Sequence, residues 1–157
     1  MRLDAEGFDV VVPSGWEVRI RHATEELHGG TSTPVLHAAT FPLPQERGDY
    51  GSGCVEIMGP EDVFVSLLEF GDEAVHSALF APGDLPRSID PQAFRTNGMQ
   101  RWMPGQSAYQ KFFTTGDRAF CLYVVLGDHS QRVTLAKTVQ TLLLSIRLRS
   151  VAPPGAL

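Results

Sequence analysis

A chain of 157 residues with 43% hydrophobic and 20% charged side chains has the composition of one ordinary globular domain, long enough to bury about 68–70% of its unfolded surface without staples. A net charge of −5 argues against nucleic acid, whose phosphates call for a basic face. Two cysteines are too few for a disulfide framework or a structural zinc cluster, and no apolar run approaches the ~18 residues that span a membrane.

The first segment, "GFDVVVPSGWEVRIRH", is expected to be a hairpin. Phe8, Val10 and Val12 alternate, "PSG" supplies turn chemistry, and Trp16, Val18 and Ile20 alternate with Glu17, Arg19 and Arg21. "ATEELHGGTSTP" is a polar loop, and "VLHAATF" is a strand stopped by "PLP". "GDYGSGC", residues 48–54, is a glycine-rich bend before "CVEIMGP", which has room for one or two helical turns. "DVFVSLLEF" is apolar on both faces, which predicts a central strand.

Residues 71–97 carry no clear period. "EAVHSALF" fits a short helix, and "APGDLPRSIDP" is punctuated as a loop. "GMQRWM", "SAYQKFFTT" and "RAFCLYVVLG" are expected to form a three-strand meander through turns at Pro104–Gly105 and Gly116–Asp117. In the last of these, Phe120, Leu122, Val124 and Leu126 take one face, while Cys121, Tyr123 and Val125 take the other. The period then becomes helical. Leu135, Ala136, Val139, Leu142 and Leu143 share one arc, with Asp128 or Ser130 placed to cap the start. "SIRLRS" closes with a short strand presenting Ile146 and Leu148, and "VAPPGAL" has the composition of a disordered tail. The expectation is one α+β domain over residues 1–150. It holds an antiparallel sheet of about six to seven strands covered by helices, ending in a helix and a short strand, with a tail at 151–157.

Chemistry-bearing patterns are sparse. The glycines of "GDYGSGC" are spaced G-x-x-G-x-G, unlike a dinucleotide fingerprint, and no Walker lysine follows. The amides of Ser52, Gly53 and Cys54 could face an anion at a helix start, or the glycines could simply permit a sharp bend. Cys54 has no base near it in sequence, and Cys121, among apolar neighbours, fits a small buried hydrophobe. His22 and His28 flank Glu25 and Glu26, but the spacing is not that of a zinc helix, so a solvated loop is expected and no metal is assigned. His37 is expected to be a hydrogen-bonded strand histidine, His129 lies beside a helix start, and His76 receives no role. Glu61 and Asp62 fit a turn. Trp16 is expected in the core. Trp102 beside Arg101 near a strand end has the composition of a binding hot spot.

Charge is uneven along the chain. Residues 1–86 hold 15 acids and 4 bases, a sum of −11, while residues 87–157 hold 3 acids and 9 bases, a sum of +6. Either the halves interleave and neutralise each other, or they form separate faces, with Arg95, Arg101, Arg118 and Arg132 on a basic face that meets an acidic partner.

"FDVVVPSGWEV", "GDRAFCLYVVLG" and "TVQTLLLSIRLR" together resemble the PsbP-like superfamily over residues 8–20 and about 116–149. The resemblance implies an antiparallel sheet between helical layers and a non-enzymatic adaptor, assembly factor or small binding protein, with no catalytic residues to transfer. The expected function is therefore a non-catalytic protein-interaction or assembly module without cofactor. The expected partner is another protein, one with an acidic surface if the basic face forms, and homo-oligomers are allowed. The alternative is a small-molecule or lipid-binding protein with a pocket between the sheet and residues 71–97. An enzyme comes third. Membrane insertion is not expected. The N-terminus lacks a secretory core, and the arginine excess (11, against 2 lysines) is what a GC-rich genome produces, so a cytoplasmic, bacterial protein is expected.

Overall fold

The computed structural model describes residues 1–23 and 32–150. Among these residues, eight strands form two antiparallel sheets. The smaller is ordered β1 (Arg2–Ala5), β2 (Phe8–Val11), β8 (Ile146–Leu148). The larger is ordered β3 (Glu17–His22), β4 (Pro34–Ala39), β5 (Val63–Phe70), β7 (Arg118–Leu126), β6 (Ser107–Thr115). The one α-helix among the described residues, α1 (Arg132–Ser145), runs directly into β8. The α+β class and the closing helix and strand are as expected, but the strands divide between two sheets.

The expected first hairpin is corrected. The "PSG" turn forms, with Gly15 at φ 85° and the Trp16 amide donating to the Pro13 carbonyl, but it carries the chain from one sheet to the other. Phe8–Val11 pairs instead with Arg2–Ala5 and with β8. The β1–β2 loop is Glu6–Gly7, both at positive φ (54° and 77°), the conformation of a two-residue turn matched to strand twist. Alternation marks a strand but not its neighbour. A glutamate at positive φ also gives no turn signal.

β5 and β7 sit at the centre of the large sheet, as their two apolar faces require. On one face, Val65, Leu67, Phe120, Leu122 and Val124 meet Phe8 and Val10 of β2, Ile146 of β8, and α1. The helix buries Leu135, Ala136, Val139, Leu142 and Leu143, the arc expected from its period. Asp128 accepts from the Ser130 amide at 2.9 Å in the 3₁₀ turn leading into α1. At the other end, Arg87 donates to the carbonyls of Leu143, Leu144 and Ile146, satisfying groups that a helix C-terminus leaves open.

No α-helix among the described residues covers the second face. Irregular chain does so, punctuated by 3₁₀ turns at Val55–Ile57 and Asp72–Ala74. "CVEIMGP" is thus a single helical turn, and the start of "EAVHSALF" another. Residues 99–103 form no strand, which corrects the expected meander. The edge of β6 is met instead by Arg95, bridged to Ala108, and by Pro82, bridged to Thr114. Among the described residues no helix is long and apolar enough to cross a membrane.

The two charge halves interleave. β5 lies between β4 and β7, and β2 lies against β8. Ion pairs join them: Arg118 with Glu69, Arg149 with Asp4 and Asp9, and Arg101 with Glu56. This arrangement is the neutralising one, with Arg118–Glu69 covered and the Arg149–Asp4 and Arg101–Glu56 pairs at the surface.

Candidate functional site

Where the edge strands β1 and β3 run beside each other, the two sheets leave a groove of about 770 Å³. Strand alternation builds its walls. Leu3 and Ala5 fall in register with the buried Val10 and Phe8, so they face inward. Trp16, just before β3, and Val18 and Ile20 within it do the same, and all five line the groove. Val18 is nearly buried, whereas Trp16 and Ile20 are only half covered. One end is closed by His22 Nε2 and Glu6 Oε1, 3.2 Å apart. At the other end the Val12 amide donates to the Met1 carbonyl, and Met1 is 84% exposed. The remaining charged residues of the lining are engaged: Arg19 with Glu17, and Arg21 with Asp49. The groove therefore presents apolar walls with paired charges at its rim.

The large sheet differs at its two edges. Along β6, Thr114 and Ala108 exchange backbone hydrogen bonds with residues 81–83 and with Arg95. Along the outer edge of β3, from Glu17 to His22, no described residue supplies a backbone partner.

The glycine-rich stretch lies on the opposite face, as a strap across the sheet. The registers align Arg19, His37, Ser66, Tyr123 and Gln110 in one transverse row. The strap meets this row through the Asp49 carbonyl, which accepts from Ser66 Oγ at 2.6 Å and from His37 Nε2 at 2.9 Å. Arg47 Nε donates to His37 Nδ1 at 2.7 Å, which fixes the neutral tautomer with its proton on Nε2. Burial pulls His37 down to about 4 from 6.5, reinforced by the adjacent Arg47 and Arg21 charges. Tyr50 stacks edge-on against Tyr123, ring centroids 5.5 Å apart.

The strap also explains its glycines. Gly51, at φ 92°, would place a Cβ 2.5 Å from the Phe64 ring. The Gly53 amide donates to Glu56 Oε1 and the Cys54 amide to the Gly51 carbonyl. Ser52, Gly53 and Cys54 thus form a bend whose amides at Gly53 and Cys54 are engaged internally, with a carboxylate already at Gly53. Cys54 and Cys121 are both buried and unpaired, and burial pushes both thiols up to about 11, away from the thiolate a nucleophile needs.

The arginines expected on one basic face do not share a setting. Arg118 is 5% exposed. It makes a two-pronged pair with Glu69 at 2.7 and 3.0 Å, donates to the carbonyls of Glu6, Gly7 and Arg149, and lies over the Phe8 and Phe120 rings. It is a core clamp. Arg101 is exposed and faces Glu56 at 3.2 Å. Arg132 is half covered and donates to the His129 carbonyl. Arg95 is exposed at the β6 edge. Trp102 is 67% exposed and does not line the groove. Trp16 lies at the margin of the core and forms one end of the groove. His28, Glu25 and Glu26 lie outside the described residues, and among those described no acid, histidine or cysteine cluster fits a metal ion. The groove went unread because its walls come from two strands whose adjacency depends on the β2–β8 pairing. The signal present was the strict alternation of Trp16, Val18 and Ile20.

No family model matches the chain, and no curated protein or solved structure matches it either.

Proposed function

We propose that the protein is a non-catalytic interaction module whose β1–β3 groove receives an extended apolar segment of a protein partner. The observation that carries this reading is the groove itself, with apolar walls between two strand edges. An added strand could bond to such an edge through its backbone and place alternate side chains in the groove. The groups most capable of chemistry support it. His37 is held neutral under the strap, and Cys54 and Cys121 are buried with raised thiols. The resemblance of residues 8–20 and 116–149 to the PsbP-like superfamily supports an adaptor role as well. The two unpaired cysteines suit a reducing compartment, which supports a cytoplasmic location. An acidic partner is less favoured, because Arg118 is buried and Arg101 already faces an acid.

A small apolar ligand or lipid is the second reading, favoured by the groove's volume and lining. Beside residues 71–97, its expected place, the hollows are smaller, about 260 Å³ at Gly71–Glu73 and about 380 Å³ at Asp84–Arg87, while Phe80, Leu85, Ile89 and Phe94 are buried. Trp16 allows a direct test. In a Trp102→Phe variant, Trp16 fluorescence is followed during titration with octapeptides alternating valine and serine, and separately with a medium-chain fatty acid. A blue shift with the peptides, weakened about tenfold or more by Ile20→Asp at unchanged melting temperature, is the expected result. A response to the fatty acid alone would replace the first reading with the second.

A further inference from the structure

The β3 edge is the longest stretch of unpaired strand among the described residues. An uncovered edge is a template for another strand, and proteins usually blunt it with charged side chains, proline, bulges, short strands or covering chain. β1 is only four residues long, and β6 is covered by residues 81–83 and 95. Among the described residues, β3 has no covering chain, bulge or proline, and only its charged side chains, Glu17, Arg19 and Arg21, guard the edge. It runs six residues in unbroken register with β4 and contains no proline or glycine.

Its side chains also suit one particular partner. When two copies of an edge strand pair antiparallel about a two-fold axis through one residue, inward-facing side chains stay on the inner side in both copies. Of the registers centred on residues 17 to 21, centring on Glu17 opposes two glutamates and centring on Arg21 opposes two arginines, while centring on Arg19 sets Glu17 against Arg21 twice but forces Arg19 directly against Arg19 at the axis. Centring on Ile20 sets Arg19 against Arg21 twice. Centring on Val18 sets Glu17 against Arg19 of the second copy, twice. On the groove side that register sets Trp16, just before β3, against Ile20, twice, with Val18 against Val18, while Arg21 and His22 face Gly15 and Ser14 of the turn. Opposite charges and aromatic–aliphatic pairs are the cross-strand contacts that stabilise, and like charges directly opposite destabilise.

We infer that a second copy of this chain pairs with the β3 edge in this register, joining two five-stranded sheets into a continuous ten-stranded one. The two-fold axis lies perpendicular to the sheet. Both grooves therefore open on the same side and meet at the seam, so the half-covered Trp16 and Ile20 of each copy close over each other. The inference rests on the reading of this edge and groove as an interaction site, and it names the partner.

Charge reversal tests the register. Both side chains reach solvent, that of Arg19 being 63% exposed and that of Glu17 30%; Glu17→Arg gives up one hydrogen bond from the Leu43 amide, and circular dichroism and a melting temperature verify that both variants stay folded. Sedimentation at roughly 1–100 µM should show a monomer–dimer equilibrium for the native chain. Arg19→Glu alone sets glutamate against glutamate, and Glu17→Arg alone sets arginine against arginine. Each should raise the dimer dissociation constant about tenfold or more. Mixing the two variants restores opposite charges at every facing position and should yield a heterodimer. A native chain monomeric throughout that range, or a dimer indifferent to both variants and to their mixing, overturns the inference. Titrating the octapeptides into the Arg19→Glu monomer separates the two claims. Peptide binding there while the native chain stays monomeric leaves the groove reading standing and removes the dimer. A charge-dependent dimer whose monomeric variant binds no peptide supports the dimer and removes the added-strand reading of the groove.

Discussion

Mild acid should weaken this fold through one buried imidazole. His37 is fully buried and neutral, with Arg47 Nε–H donating into its Nδ1 and Arg21 nearby. A proton on Nδ1 would turn that hydrogen bond into opposed donors and add a cation beside two guanidinium groups. In the unfolded chain the ring titrates near 6.5, and in the folded protein near 4. The unfolded state thus binds more protons between these values, so this contribution is complete above about 6.5 and is lost as pH falls toward 4. The slope is at most about 1.4 kcal/mol per pH unit, and the loss between pH 7.5 and pH 5 comes to about 2 kcal/mol. Asp9 and Asp128 are held below the ordinary 3.8, chiefly by hydrogen bonds from Arg2 and from Ser130 respectively. What they add is lost only as pH falls through about 4 and lower, so the window above pH 5 is free of them. Urea denaturation at pH 7.5, 6.5, 5.75 and 5 would read the slope. The His37→Gln variant should be less stable at pH 7.5 yet lack this component of the decline. A native chain equally stable at both ends, or a His37→Gln protein with an undiminished slope, would refute the burial argument.

Other expectations concern packing. Arg118→Met strands Glu69 and three carbonyls and should cost about 3–5 kcal/mol in a denaturant melt, whereas Arg95→Ala should cost less than about 0.5 kcal/mol. Gly51→Ala drives a methyl into Phe64 at an unfavourable φ and should cost at least about 1–3 kcal/mol by the same assay. Leu142→Ala, on the buried arc of α1, should cost about 2–5 kcal/mol, against less than about 0.5 kcal/mol for the exposed Lys137→Ala. Equal effects of this last pair would mean that the helix face is misassigned.

Local pattern was sufficient for much of the fold. The two faces of β7, the central place of β5, the Gly116–Asp117 hairpin and the buried arc of α1 follow from period and turn chemistry, because each is a property of one segment against an apolar environment. His37 as a hydrogen-bonded strand histidine belongs with them. The pairing of strands was different in kind. Phe8–Val11 alternates equally well whether its neighbour is β3 or β8, and only the assembled core chooses, by setting Phe8 against Phe120 with ring centroids 6.0 Å apart. The same choice buries Arg118 between the two sheets and dissolves the basic face that residue order suggested. It leaves the β1–β3 groove open, since Leu3 and Trp16 line one groove only once both sheets exist. The glycines of "GDYGSGC" could be recognised as a bend from residue type. That the bend straps a row of polar side chains from His37 to Tyr123 depends on strand register, a long-range property that no window of sequence contains.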